Sequence, residues 1–166
     1  MARRWTVLLI TILLIAPLAA EASLRLYGHF VAKRDYIFQS DAKMGWSNAP
    51  NLLTKRVNAA GNEWTIRTDQ NGQRLIEQNP RSPRNKILIL GDSLSFGEGV
   101  DIEYRFDVQM LSSLPGTAVV NTGTMGYGPD QEYVAFQNWK QILGTGDAVL
   151  IVLNESDYFD VLRRRF

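Results

Sequence analysis

The sequence predicts an α/β fold built around a parallel sheet. Three apolar segments, at 87–90, 117–120 and 148–153, have the length of buried strands and show no polar alternation. Two segments with a helical spacing of apolar residues, 106–114 and 129–143, separate them. Strands that alternate with helices in this order form parallel sheets with right-handed crossovers. We therefore expect three parallel strands with helices packed against them.

Proline and glycine mark the ends of the predicted helices. Pro115 and Gly116 follow the first helix, where they favour a stop. Pro129 suits the first turn of the second helix, and Gly144 and Gly146 follow its end. Each predicted helix therefore has a boundary that agrees with its local residues.

Composition excludes several classes of site. The 166 residues include no cysteine, which excludes disulfides, thiolate catalysis and cysteine-based zinc sites. The lone histidine, His29, cannot form a histidine-rich metal site. A formal net charge of +1 gives no overall basic field for nucleic acid. We therefore expect neither a metal site nor a nucleic-acid partner.

Residues 1–30 are predicted to lie outside the fold, as a signal anchor or a signal peptide. Arg3 and Arg4 precede an apolar run that extends to residue 20, and small residues follow it. A basic start, an apolar stretch and a small-residue site are typical of a secretory signal peptide. Cleavage after residues 1–22 would release a secreted protein.

The alternative is an uncleaved anchor that contacts the membrane through residues 5–26. A span of about 20 apolar residues brings Glu21 and Arg25 near the interface, and their spacing of four allows them to pair on one helix face. We favour this anchor. In both cases the chain after residue 30 is exported and faces the periplasm or the cell exterior.

Residues 31–85 are polar and rich in turn signals, so we expect an irregular pre-domain and linker. One short strand is predicted at 63–68, where Trp64 and Ile66 lie on the same face. The main domain then occupies residues 86–166.

A chemically suggestive residue follows each predicted strand, at the edge where α/β sheets place their sites. Ser93 is a candidate nucleophile, and it follows the first strand almost directly. Gly126 lies in the loop after the second strand, where a backbone N–H without a neighbouring Cβ lets a ligand approach closely. Asn154 follows the third strand and offers a side-chain amide. Nucleophile and oxyanion donors are two of the three requirements of serine acyl transfer.

The same residues also have purely structural interpretations. Gly126 is also compatible with a simple turn at positive φ, and Asn154 with a cap for a helix that begins at residue 155. Asp92 is expected to bond within its own loop rather than act on a substrate.

The same segments resemble a known family. Residues 91–99, 121–128 and 152–155 resemble the first three sequence blocks of the SGNH/GDSL family of serine esterases and acyl hydrolases. The resemblance spans roughly residues 86–160. It implies a three-layer α/β/α fold like that of flavodoxin.

The resemblance also implies roles for individual residues. It implies that Ser93 is the nucleophile, and that the oxyanion hole consists of the Ser93 and Gly126 backbone N–H groups and the Asn154 side chain. Within the family the chain is most similar to membrane-anchored, exported bacterial members, whose pre-domain resembles residues 65–74. Serine acyl transfer of this kind implies no cofactor.

The sequence departs from the family pattern at two points, and both affect the expected catalytic site. The family's fourth block, an Asp-x-x-His that supplies the general base, has no counterpart, and His29 lies beside the apolar segment. Glu155 occupies the position where an aspartate usually follows the third-block asparagine. Three strands are few for a parallel sheet, so we expect a domain truncated after its third strand rather than a degenerate relative.

The expected function is therefore that of an SGNH-type serine hydrolase or acyltransferase. Its substrates are expected to be small acyl esters of carbohydrate or lipid, handled by an esterase, an acetylesterase or an O-acyltransferase. The alternative is a non-catalytic, membrane-tethered envelope module that binds acylated glycan in the same cleft.

Overall fold

The computed structural model describes residues 2–31, 36–58, 60–155, 157 and 159. The chain divides into two compact units, residues 1–35 and 36–166. The predicted strands, helices and site residues all belong to the second unit.

The described residues of the first unit form one helix, α1 (Ala2–Val31), which contains Pro17. Glu21 and Arg25 form the predicted ion pair one turn apart, with Nε 2.7 Å from Oε1. Among the residues that the structure describes, no helix is both long and apolar enough to cross a membrane. Export, by an anchor or a cleaved signal peptide, stays a prediction, and the side chain of His29 lies outside the described part.

A three-stranded parallel sheet forms the centre of the second unit and confirms the predicted α/β class. Its strands are β5 (Asn85–Gly91), β6 (Thr117–Asn121) and β7 (Ala148–Val152). Their spatial order is β6-β5-β7, and both pairings are parallel. The strand that precedes Ser93 is therefore central.

Helices cover both faces of β5. Ile89 packs with Val108 of helix α3 (Phe106–Leu111), whereas Leu88 and Leu90 pack with Ala135 of helix α4 (Pro129–Trp139). Successive strand residues point to opposite faces, which explains why this strand is apolar throughout.

β7 is an edge strand, and residues 148–151 are exposed. Three of these side chains are large and apolar, namely Val149, Leu150 and Ile151. An unpaired apolar edge of this kind favours association with other chains.

Both helices end earlier in the chain than the sequence predicts. α3 ends at Leu111 instead of residue 114, because the next three amides, of residues 112–114, each bond to the carbonyl oxygen three residues back. α4 ends at Trp139 and continues as a short 3₁₀ turn at Lys140–Ile142. Tightening of the last turn is common at helix ends.

Residues 38–67 are more regular than the predicted irregular pre-domain. They form two antiparallel hairpins, of which the first pairs β1 (Phe38–Asp41) with β2 (Gly45–Asn48) and the second pairs β3 (Leu53–Val57) with β4 (Glu63–Arg67). The carboxylate of Asp41 forms the first turn by accepting the amides of residues 43 and 44 at 2.9 Å. A hairpin that is fixed by hydrogen bonds in its turn needs no periodic pattern of apolar residues, so the sequence pattern did not predict it.

The second hairpin packs against the turn that follows β5. Trp64 and Ile66 of β4 are buried on one face, as predicted, and form a cluster with Phe96. The Trp64 and Phe96 rings meet edge to face with their centroids 6.2 Å apart. Residues 36–85 are thus part of the same compact unit as the parallel sheet.

Candidate active site

The three predicted site residues follow strands that end at one edge of the sheet. Gly91 at the end of β5 lies opposite Val152 at the end of β7, and Ile89 lies opposite Asn121 at the end of β6. Because all three strands are parallel, the loops that contain Ser93, Gly126 and Asn154 leave the same side of the sheet.

Ser93 begins a one-turn helix, α2 (Ser93–Phe96), and is half-buried. Asp92 caps this turn, because its Oδ1 accepts the amide of Leu94 at 2.9 Å. Gly97 ends the turn in the left-handed conformation with φ 76°. Asp92 thus bonds within its own loop, as the sequence predicts.

Two glycines allow this turn to pack closely. Gly91 has φ 152°, and a Cβ there would overlap the Ser95 hydroxyl and lie 3.0 Å from the Val152 carbonyl oxygen. A Cβ on Gly123 would lie 2.6 Å from the amide nitrogen of Phe96. The loop after β6 can therefore lie directly against α2 only because residue 123 has no side chain.

Asn154 is joined to the turn of Ser93 through Asp92. Its side-chain amide donates to Oδ2 of Asp92, which is 5% exposed. The two oxygens of Asp92 therefore connect the amide of Leu94 with the carboxamide of Asn154. Hydrogen bonds to a charged acceptor are about twice as strong as neutral ones, so this contact orients Asn154.

Gly126 lies farther along its loop and is exposed, with φ 79°. This φ favours glycine, which agrees with the turn interpretation without excluding an oxyanion role. Within the described part of the chain, no hydrogen bond joins Ser93 to Gly126, and none involves the Gly126 N–H.

A buried network of hydrogen bonds and an ion pair contacts α2. The sequence analysis did not identify it. Arg105 and Asp107 are almost fully buried and form a bidentate ion pair, in which Nε lies 3.0 Å from Oδ1 and Nη2 also contacts Oδ2. Asn121 donates to Oδ2 of Asp107 at 2.6 Å and to the Ser95 carbonyl oxygen at 2.7 Å. This network joins the end of β6 to the turn that contains Ser93.

A second buried guanidinium lies beside the network. Arg74 is 2% exposed, and its Cζ lies 4.4 Å from the centroid of the Phe96 ring. Burial, and then the nearby charge of Arg105, lower the pKa of Arg74 to about 9. The negative charges of Asp107 and Asp101 act on this pKa in the opposite direction.

A buried acidic group lies on the α4 side. Glu132 is 4% exposed, and its Oε1 has no hydrogen-bond partner among the described residues. Burial, and then the nearby charges of Asp157 and Asp92, raise the pKa of Glu132 to about 7. No group of three histidine, aspartate or glutamate residues in the described part has the arrangement to hold a metal ion.

Neither the family-model scan nor the search of curated proteins gives a match to this chain. The interpretation of the site therefore depends on its residues and their geometry.

Proposed function

We propose that this chain contains the acyl-transfer site of an SGNH/GDSL-type serine hydrolase, with the flavodoxin-like α/β/α fold of that family. Ser93 is the nucleophile, and the Ser93 and Gly126 N–H groups and the Asn154 side chain surround the oxyanion. The observation that carries the proposal is the link between Asn154 and the Ser93 turn through Asp92. The parallel pairing of β5 with β7 brings these residues, 62 positions apart in the chain, to the same sheet edge, and the hydrogen bond then fixes the Asn154 carboxamide beside the turn of Ser93.

The chemistry follows from these groups. Attack of the Ser93 hydroxyl on an ester carbonyl places negative charge on the former carbonyl oxygen, and preorganised N–H donors stabilise that charge. The N–H groups of Ser93 and Gly126 donate to no other described group, so both are available. Loss of one such donor costs about 3–4 kcal/mol of transition-state stabilisation.

The substrate proposed is a small acyl ester of carbohydrate or lipid, in an exported and membrane-tethered setting. Collapse of the tetrahedral intermediate breaks the ester bond, releases the alcohol and leaves the acyl group on Ser93. Water or a second hydroxyl then accepts the acyl group, which makes the protein an esterase or an O-acyltransferase. The proton of Ser93 passes to a general base, which in the family that the sequence resembles is the histidine of the fourth block.

The experiment is turnover of p-nitrophenyl acetate by the full chain in detergent, followed by peptide mapping of any acetylated residue. We expect slow turnover, because no general base contacts the Ser93 hydroxyl among the described residues, and we expect Ser93→Ala to lack it, with the acetyl group found on Ser93. Ser113, which is exposed, is the internal control for unspecific acetylation. Equal rates in both proteins would contradict a hydrolytic function.

One observation favours the alternative of a non-catalytic module that binds acylated glycan. No described residue forms a hydrogen bond with the Ser93 hydroxyl, so no general base is in place among the described residues. This function predicts that an acetylated oligosaccharide binds equally well to the wild type and to Ser93→Ala. Binding without turnover would favour the module over the enzyme.

A further inference from the structure

The peptide bond between Met125 and Gly126 is held from its carbonyl side. The indole Nε1 of Trp46, in β2, donates to the Met125 carbonyl oxygen at 3.0 Å. This carbonyl and the Gly126 N–H belong to one planar trans peptide, in which they point in opposite directions. The hydrogen bond from Trp46 therefore also fixes the direction of the Gly126 N–H.

The indole is itself held by the loop that it contacts. The hydroxyl of Tyr127 donates to the Trp46 carbonyl oxygen at 2.7 Å, and the two rings meet edge to face with centroids 5.8 Å apart. Tyr127 is only 3% exposed, so its ring is fixed by packing. Trp46 and Tyr127 thus bond reciprocally, each from its side chain to the backbone of the other segment.

Two more contacts join the same hairpin to the same loop and helix. Asn48 donates to the Gly123 carbonyl oxygen at 3.0 Å, and Gln131 donates to the Met44 carbonyl oxygen at 2.8 Å. The first hairpin therefore holds the loop at several points, and Trp46 acts on the peptide that includes Gly126.

The ring of Trp46 also lies against Gly126. A Cβ at this position would lie 3.3 Å from the ring carbon Cζ2, in a backbone conformation with φ 79° that side chains disfavour. The glycine thus permits the contact with the ring, and its own N–H donates to no described residue. A hydrogen bond accepted by the carbonyl also polarises the amide and strengthens its N–H as a donor.

We propose that Trp46 is a positioning residue for the oxyanion hole: its indole N–H orients and polarises the 125–126 peptide so that the Gly126 N–H is preorganised. This role rests on the proposed function of the Ser93 site. Preorganised donors need no rearrangement as charge develops, which is the main source of their effect. The first hairpin, which contains Trp46, then contributes to catalysis by positioning the oxyanion hole.

The test compares the full chain with Trp46→Phe, which keeps an aromatic ring and removes the N–H donor together with part of the ring surface. We expect kcat for p-nitrophenyl acetate to fall by about 10-fold to 100-fold, with KM unchanged, because the lost interaction acts on the transition state. Trp139→Phe is the matched control, since it removes an indole N–H from α4, and it should leave kcat unchanged. Tyr127→Phe, which releases the Trp46 backbone, should lower kcat in the same direction.

An NMR measurement makes the result independent of turnover. Labelling of methionine carbonyl carbon and glycine nitrogen leaves only the 44–45 and 125–126 peptides visible. We expect the Gly126 amide proton to move upfield in Trp46→Phe and to stay in place in Trp139→Phe. An unchanged Gly126 signal, or Ser93-dependent turnover that Trp46→Phe does not slow, would overturn the role of Trp46 and leave the proposed function intact. Absence of any Ser93-dependent turnover would overturn both.

Discussion

Replacement of Glu132 by glutamine should remove a large pH dependence from the stability of the fold. Burial, and then Asp157 and Asp92, raise the pKa of Glu132 from 4.5 to about 7. Between these pH values the folded protein holds a proton that the unfolded chain releases. Stability therefore falls as the pH rises through this range, because the folded state binds more protons than the unfolded state.

The size of the effect follows from the pKa difference. At about 1.4 kcal/mol per pH unit, a pKa raised from 4.5 to about 7 corresponds to about 3 kcal/mol. The loss is absent below pH 4.5 and complete above pH 7, since the glutamate is then ionised in both states. Glutamine stays neutral, so Glu132→Gln should equal or exceed the wild type in stability at pH 8.

Urea unfolding at pH 5 and pH 8 measures the difference. We expect the wild type to lose about 2.5 kcal/mol relative to Glu132→Gln between these values, because a small part of the loss has already occurred at pH 5. Glu103→Gln, the same substitution at an exposed position, is the matched control. Parallel pH profiles for the wild type and Glu132→Gln would refute the argument that Glu132 is protonated in the fold.

Three further outcomes are expected. Asp107→Asn should lower the unfolding free energy by about 3–5 kcal/mol in urea titrations, because it leaves the Arg105 charge buried without its partner. Gly123→Ala should lower the melting temperature by many degrees, since the new methyl would overlap the backbone of α2, whereas Gly144→Ala, whose Cβ would lie 3.9 Å from the nearest atom, should not. Asn154→Ala should reduce Ser93-dependent ester turnover by about 100-fold, which initial-rate measurements will show.

The parallel sheet could be predicted because burial on both faces leaves continuous apolar runs in the sequence. β5, β6 and β7 each lie within two residues of the predicted bounds. Ser93, Gly126 and Asn154 could be proposed as site residues for a related reason, since parallel strands place the residues that follow them on one sheet edge.

The hydrogen bonds that hold the site loops in place could not be predicted in this way. The bond from Trp46 to Met125 joins residues 79 positions apart, and the bond from Asn121 to the Ser95 carbonyl joins residues 26 apart. Neither contact leaves a local pattern. One signal was available in the sequence. Large aromatic residues such as Trp46 and Trp64 occur among the polar residues of the pre-domain, and side chains of this kind usually pack against a core.

The central claim is that Ser93, the Gly126 N–H and the Asn154 carboxamide surround one oxyanion. Addition of a boronic acid to the full chain, followed by boron NMR, tests this arrangement most directly, because a serine adduct converts trigonal boron to a tetrahedral anion. We expect a tetrahedral signal and a downfield shift of the Gly126 amide proton, both absent in Ser93→Ala. A boron signal that stays trigonal, or one that is the same in both proteins, would contradict the claim.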